Sequence, residues 1–98
     1  MKENDIERKL TTEIRKRGGL CFKFTSPNAA GVPDRIVIAP GGRVIFVELK
    51  ADSGRVTALQ SWQISRINKI GGDARVLRGM DQVKTFISEV FTAGGDET

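Results

Sequence analysis

Histidine and tyrosine are both absent from this sequence, and there is a single cysteine. Without histidine there can be no Ser-His-Asp or Cys-His nucleophile, no histidine general base and no histidine-held metal. Without tyrosine there can be no phosphotyrosyl intermediate. The lone Cys21 excludes an internal disulfide and suits a reducing compartment. It lies in an apolar run, where a thiol is expected to be buried and inert. No apolar stretch approaches the roughly 20 residues needed to span a bilayer. The N-terminus is charged from Lys2 onward and has no signal-peptide core, so a cytoplasmic location is expected. An enzyme built from these residues would have to work with carboxylates, lysine and a metal.

What is present describes a small basic globule. Hydrophobic residues make up 39% and charged residues 29% of 98 positions, a balance typical of a folded domain. The length suits one domain, residues 1–98, with a core over about 4–91 and a flexible tail at 92–98. Sixteen Lys and Arg against twelve Asp and Glu leave a net charge of +4, which suits a polyanionic partner. A domain this small buries a limited share of its surface, so self-association is also expected.

Hydrophobic periodicity predicts the order αβββαβα. Asn4 to Arg17 reads as a helix, with Ile6, Leu10 and Ile14 on one side and charges on the other. Gly18-Gly19 stops it. Leu20–Thr25 and Arg35–Ala39 read as strands, separated by the loop SPNAAG (26–31). Pro40-Gly41-Gly42 turns the chain into a third strand, Arg43–Leu49. Its unbroken Val44–Val47 run predicts burial on both faces. Thr57–Ile70 reads as a second helix with Leu59, Trp62, Ile67 and Ile70 on its apolar side. Ala74–Leu77 reads as a fourth strand. Asp81 is expected to cap a last helix carrying Val83, Phe86, Ile87, Val90 and Phe91 inward. A mixed sheet of about four strands with helices on its faces follows, the third and fourth strands parallel across a helical crossover.

The hairpin carries the chemistry. If Pro40-Gly41-Gly42 is a three-residue loop, Ala39 faces Arg43, Ile38 faces Val44, and Asp34 faces Glu48. Residues directly opposite share a sheet face with Cβ atoms about 4.5–5.5 Å apart, and alternation brings Lys50 to that face too. Opposed carboxylates destabilise a sheet unless a cation compensates, and Mg²⁺ favours one or two carboxylates together with phosphate and water. A two-residue loop would instead send the acids to opposite faces. Taken singly, each of the three also suits a solvated strand end or a simple ion pair.

The series GVPD (31–34), PGGR (40–43), VELKA (47–51) and LQ (59–60) resembles the VRR-NUC (virus-type replication-repair nuclease) domain. This domain is a branch of the restriction-endonuclease-like nucleases marked by D…(D/E)xK, and the resemblance spans roughly Glu7 to Val90. It implies an αβββαβ core and phosphodiester hydrolysis assisted by Mg²⁺ or Mn²⁺. By the same resemblance, Asp34 and Glu48 would bind the metal, with the backbone carbonyl of Leu49 as a further ligand. Lys50 would orient or deprotonate the attacking water. Glu7 and Gln60 match the family's helix-borne acid and glutamine. Both also fit helix capping boxes, Asn4-x-x-Glu7 and Thr57-x-x-Gln60, so two roles stay open for each.

Arg15, Arg17, Lys23, Arg35, Arg43 and Arg55 are the candidate nucleic-acid contacts, with Lys16 beside them and Lys23 foremost. Arg35 points to the face opposite Asp34. Aromatics are few and sit in core-like positions, which argues against base stacking. The resemblance further implies a DNA endonuclease of bacterial or phage origin. It would act as a homodimer on branched DNA such as a Holliday junction, in replication, repair or recombination, with no organic cofactor and no membrane. A non-catalytic nucleic-acid-binding domain with the same fold, and a small protein-interaction module, are the alternatives open from the residues alone.

Overall fold

The computed structural model describes the backbone of residues 2–95 and side chains through residue 91. The expected tail begins as helix, since the last helix continues to Gly95, and residues 96–98 lie outside the described part. The order is α1 (Glu3–Lys16), β1 (Leu20–Lys23), β2 (Arg35–Ala39), β3 (Arg43–Lys50), α2 (Ala58–Lys69), β4 (Ala74–Arg78), α3 (Gly79–Gly95). This is the αβββαβα order that the periodicity predicts.

The four strands form one sheet in the order β1-β2-β3-β4. β1–β2 and β2–β3 are antiparallel, and β3–β4 is parallel across the α2 crossover. The β2–β3 register is the one expected from a three-residue loop, with Ala39 opposite Arg43 and Ile38 opposite Val44. Gly41 and Gly42 adopt φ of +93° and +87°, and the Gly42 N–H donates to the Ala39 carbonyl at 3.0 Å. Two successive left-handed residues are open to glycine and costly for anything with a Cβ, so the Gly-Gly pair sets the register.

One sheet face carries the core. Ile6, Leu10 and Ile14 of α1 are fully buried against Val37, Ile45 and Val47, with Val83, Phe86, Ile87, Val90 and Phe91 of α3 beside them. Each such side chain contributes about 1.5–3 kcal/mol. Cys21 belongs to this core, as expected, and burial pushes its thiol pKa up.

The other face is open over β1 and β2. Leu20, Phe22 and Val44 are 49%, 52% and 43% exposed. The Val44–Val47 run is therefore buried on one face only: Ile45 and Val47 point into the core while Val44 lies in the open. Two aromatics expected in core-like positions, Phe22 and Trp62, are likewise exposed.

α2 departs most from its periodicity. Leu59, Trp62 and Ile70 are 45%, 53% and 89% exposed, and the one buried residue of the helix is Gln63. Its Nε2 donates to the Ala30 carbonyl at 3.0 Å. The helix turns a polar side to the loop before β2 because an irregular segment leaves carbonyls that need donors. Helix α3 starts at Gly79, so Asp81 lies in its first turn rather than at its cap.

Candidate active site

Asp34 directly precedes β2, and extending the ladder one step beyond Arg35–Val47 brings it opposite Glu48. Glu48 is 4% exposed at the end of an otherwise apolar strand. Burial, and next the Asp34 charge, hold its carboxyl above the usual carboxylate range, with Lys50 acting against them. Lys50 Nζ lies 3.5 Å from Glu48 Oε2, on the same face as alternation requires. Asp34 Oδ1 is buried and has no hydrogen-bond partner among the described residues.

An orphaned carboxylate oxygen beside a second buried carboxyl, whose ionisation is opposed by burial and by its neighbour, makes a site that is short of positive charge once both acids ionise. Lys50 supplies part of it. A hard divalent cation fits the remainder, because its ligands are oxygens and it compensates opposed acids. Among the described residues no third acidic, cysteine or histidine side chain joins Asp34 and Glu48. Leu49, between Glu48 and Lys50, turns its side chain into the core and is 1% exposed.

Gln60 both caps α2 and contacts Glu48. Its Oε1 accepts from the Thr57 N–H at 3.0 Å, while its own N–H donates to Thr57 Oγ1 at 3.1 Å, a complete capping box. Its Nε2 donates to Glu48 Oε2 at 3.3 Å. Glu7 does not take part in a capping box. The α1 cap is Lys2, with no side-chain cap bond, and the Glu7 carboxylate pairs with Arg35 Nη2 at 2.7 Å.

The remaining candidates separate by position. Arg35 does face away from Asp34, and it is buried at 4% exposure rather than solvated. Lys23 stands opposite it in the ladder. Arg15 is exposed on α1 near both. Arg17 is bound to Glu13 at the end of α1, and Arg43 pairs with Asp73 at the turn end of the hairpin, away from Glu48. Arg55 is exposed in the loop before α2.

No protein-family model matches the chain. A curated phage protein does, described as "Putative nuclease p44" and belonging to Acyrthosiphon pisum secondary endosymbiont phage 1. It is 42% identical over 81 residues, which cover 83% of this chain and 87% of the relative. A solved structure described as a VRR_NUC domain superposes with a TM-score of 0.82 at 28% identity, covering 88% of this chain and 94% of its own. The chain belongs to the VRR-NUC nuclease family. A second solved VRR_NUC domain protein shares the fold, with a TM-score of 0.68 at 23% identity over 94% of this chain and 89% of its own.

In this VRR-NUC chain two residues position the loop before β2, Gln63 outside any motif and Gly31 at the start of GVPD. Gln63 pins the loop that leads to Asp34, and its Oε1 accepts from Arg66 at 3.3 Å. Gly31 lets that loop press against α2: its φ is +85°, and a Cβ there would stand 2.8 Å from Leu59 Cγ and 3.0 Å from the Leu59 backbone. The GVPD stretch thus begins with a glycine that the helix contact requires. Gln63 could have been found only by asking which donor satisfies the loop carbonyls.

Proposed function

We propose that the chain is a divalent-metal-dependent DNA endonuclease that hydrolyses phosphodiester bonds at Asp34, Glu48 and Lys50. The observation that carries the reading is the buried, unpartnered Asp34 Oδ1 beside a second buried carboxyl, Glu48, whose pKa burial and the Asp34 charge push up. Asp34, Glu48 and the Leu49 carbonyl would hold Mg²⁺ or Mn²⁺, which when bound supplies charge neutralisation of the scissile phosphate and acidification of a water. The side chains of the chain do the rest. Lys50 holds the attacking water and offers a proton donor to the charge that builds on the phosphoryl oxygens. Gln60 fixes the Glu48 carboxylate by its Nε2–H. Hydrolysis is direct, as the absence of histidine and tyrosine nucleophiles suits.

The open sheet face supports a homodimer. Leu20, Phe22, Ile36, Ile38, Val44 and Phe46 line it side by side in the ladder. A contiguous apolar surface of this kind marks an interaction site. Two active sites on one dimer suit a branched substrate in which opposed strands are cut, such as a four-way junction, in replication, repair or recombination of a phage or bacterial genome.

The test is cleavage of labelled four-way junction, flap, single-stranded and duplex DNA in Mg²⁺, Mn²⁺ and EDTA, beside an Asp34→Ala/Glu48→Ala variant. The reading expects metal-dependent cutting that the double variant loses, with the junction cut fastest. Binding without cutting in either metal would overturn it.

A further inference from the structure

On the sheet face opposite the acidic pair, Arg35 is 4% exposed and its guanidinium is only partly satisfied. Nη2 bonds Glu7, whereas Nε and Nη1 are buried without a partner among the described residues. Buried cationic donors without acceptors are unfavourable, so they mark a place where an acceptor belongs. Arg35 lines a cleft of about 320 Å³ together with Glu7, Thr11, Arg15, Cys21, Phe22 and Lys23.

The charge of that cleft is uneven. Arg15, Lys23 and Arg35 give three positive charges and Glu7 one negative, an excess of two. Neither Arg15 nor Lys23 has a carboxylate partner among the described residues, while Glu13, a neighbouring acid of α1, is taken by Lys9, Lys16 and Arg17. The Thr11 hydroxyl makes only a 4.0 Å contact to Cys21 Sγ and is free to donate elsewhere. A guanidinium at the cleft wall with two unpartnered N–H groups, flanked by an ammonium, a second guanidinium and a hydroxyl, is a donor set suited to an oxyanion.

We propose that Arg15, Lys23 and Arg35 form a phosphate-binding subsite, separate from the acidic pair, which takes a phosphodiester of the same nucleic-acid strand. The choice of a nucleic-acid phosphate rests on the nuclease reading. The geometry favours it: Arg35 follows Asp34 directly, so cleft and acidic pair occupy the same end of the sheet on its two faces. A strand crossing that end meets Asp34, Glu48 and Lys50 on one side and the cationic cleft on the other. Glu7 orients the Arg35 fork.

The test reads the Arg35 Nε–Hε resonance by ¹H–¹⁵N NMR in EDTA. Inorganic phosphate is added stepwise, then a short single-stranded oligonucleotide, then the same oligonucleotide with uncharged methylphosphonate linkages. The subsite predicts saturable shifts with phosphate and with the charged oligonucleotide, and none with the uncharged one. Arg15→Ala/Lys23→Ala, which alters only exposed side chains, weakens both affinities at least tenfold and leaves the amide spectrum of the core in place. A resonance that ignores phosphate and oligonucleotide overturns the subsite, and so does a double variant that binds like the wild type. A response to free phosphate alone overturns its assignment to the nucleic-acid strand. Binding is read without metal or cleavage, so loss of the shift leaves the nuclease reading standing, and a shift in a protein that never cuts would fail that reading alone.

Discussion

Gln60 donates to Glu48 across 3.3 Å with one end of its amide while the other end closes the cap of α2. One side chain therefore ties the folding of a helix to the placement of the carboxylate proposed to hold the metal. The two functions separate by mutation. Thr57→Ala removes the cap and costs about 0.5–2 kcal/mol of stability, with cleavage nearly unchanged. Gln60→Ala loses comparable stability and also slows cleavage about 10–100-fold, the usual cost of losing a partner that orients a metal ligand. Thermal melts and single-turnover cleavage of both variants give the comparison.

Glu48 is held above its ordinary pKa by burial and by Asp34. A carboxyl that binds its proton more tightly when folded stabilises the protein at low pH, and that contribution fades as pH rises through its folded value. Near neutral pH the ionised Glu48 is thus a burden on the metal-free fold. Glu48→Gln should raise the melting temperature in EDTA while cleavage falls more than about 100-fold, beyond what loss of an outer-shell partner costs. Calorimetry at neutral pH and a cleavage assay give the pair of values.

Divalent metal should act in the opposite sense. Mg²⁺ binds the folded state and not the unfolded chain, so it raises the wild-type melting temperature in proportion to its occupancy. Asp34→Ala and Glu48→Gln should lose that rise. Lys50→Ala should keep it while cutting about 10²–10⁴-fold more slowly, as expected of a proton-handling group. Melts with and without Mg²⁺ separate holding the metal from using it.

Gly31 adopts a left-handed backbone with Leu59 pressed against it. Gly31→Ala should cost about 1–3 kcal/mol from backbone strain, with a further steric penalty from the contact. Because the loop ends at Asp34, activity should fall more than stability predicts. Denaturant melts and cleavage well below the midpoint check both parts.

Phe22 and Val44 lie on the open sheet face. Phe22→Lys/Val44→Lys should convert a dimer to a folded monomer of 10.7 kDa, and sedimentation of the two proteins reads the change directly. Glu13 gives a pH signature on the opposite side of the molecule. Arg17 foremost, then Lys16 and Lys9, holds it down from 4.5 to about 2. Its contribution is complete above 4.5 and disappears as pH falls toward 2, so Glu13→Gln and wild type should converge in stability over that window. Acid-denaturation curves test it.

The sequence by itself determined the strand and helix order, and it narrowed the hairpin to two registers, of which the structure has the one that sets Asp34 against Glu48. The order follows from periodicity, which decides which residues can be buried together; the register follows from the Pro40-Gly41-Gly42 loop only once that loop is known to have three residues, which the structure shows. The ion pair of Lys50 follows from alternation along the same strand. Only the tertiary structure decided which sheet face is covered. Val44–Val47 is apolar throughout, and periodicity within one strand does not say whether a helix lies above it. The face left open over Leu20 and Phe22 depends on where α2 crosses, which is set by long-range packing on β4. The same holds for α2, whose buried Gln63 answers a carbonyl thirty-three residues earlier in the chain. Glu7 and Arg35 show the principle most plainly: neither residue's local context names the other, and their pairing exists because α1 packs across the start of β2.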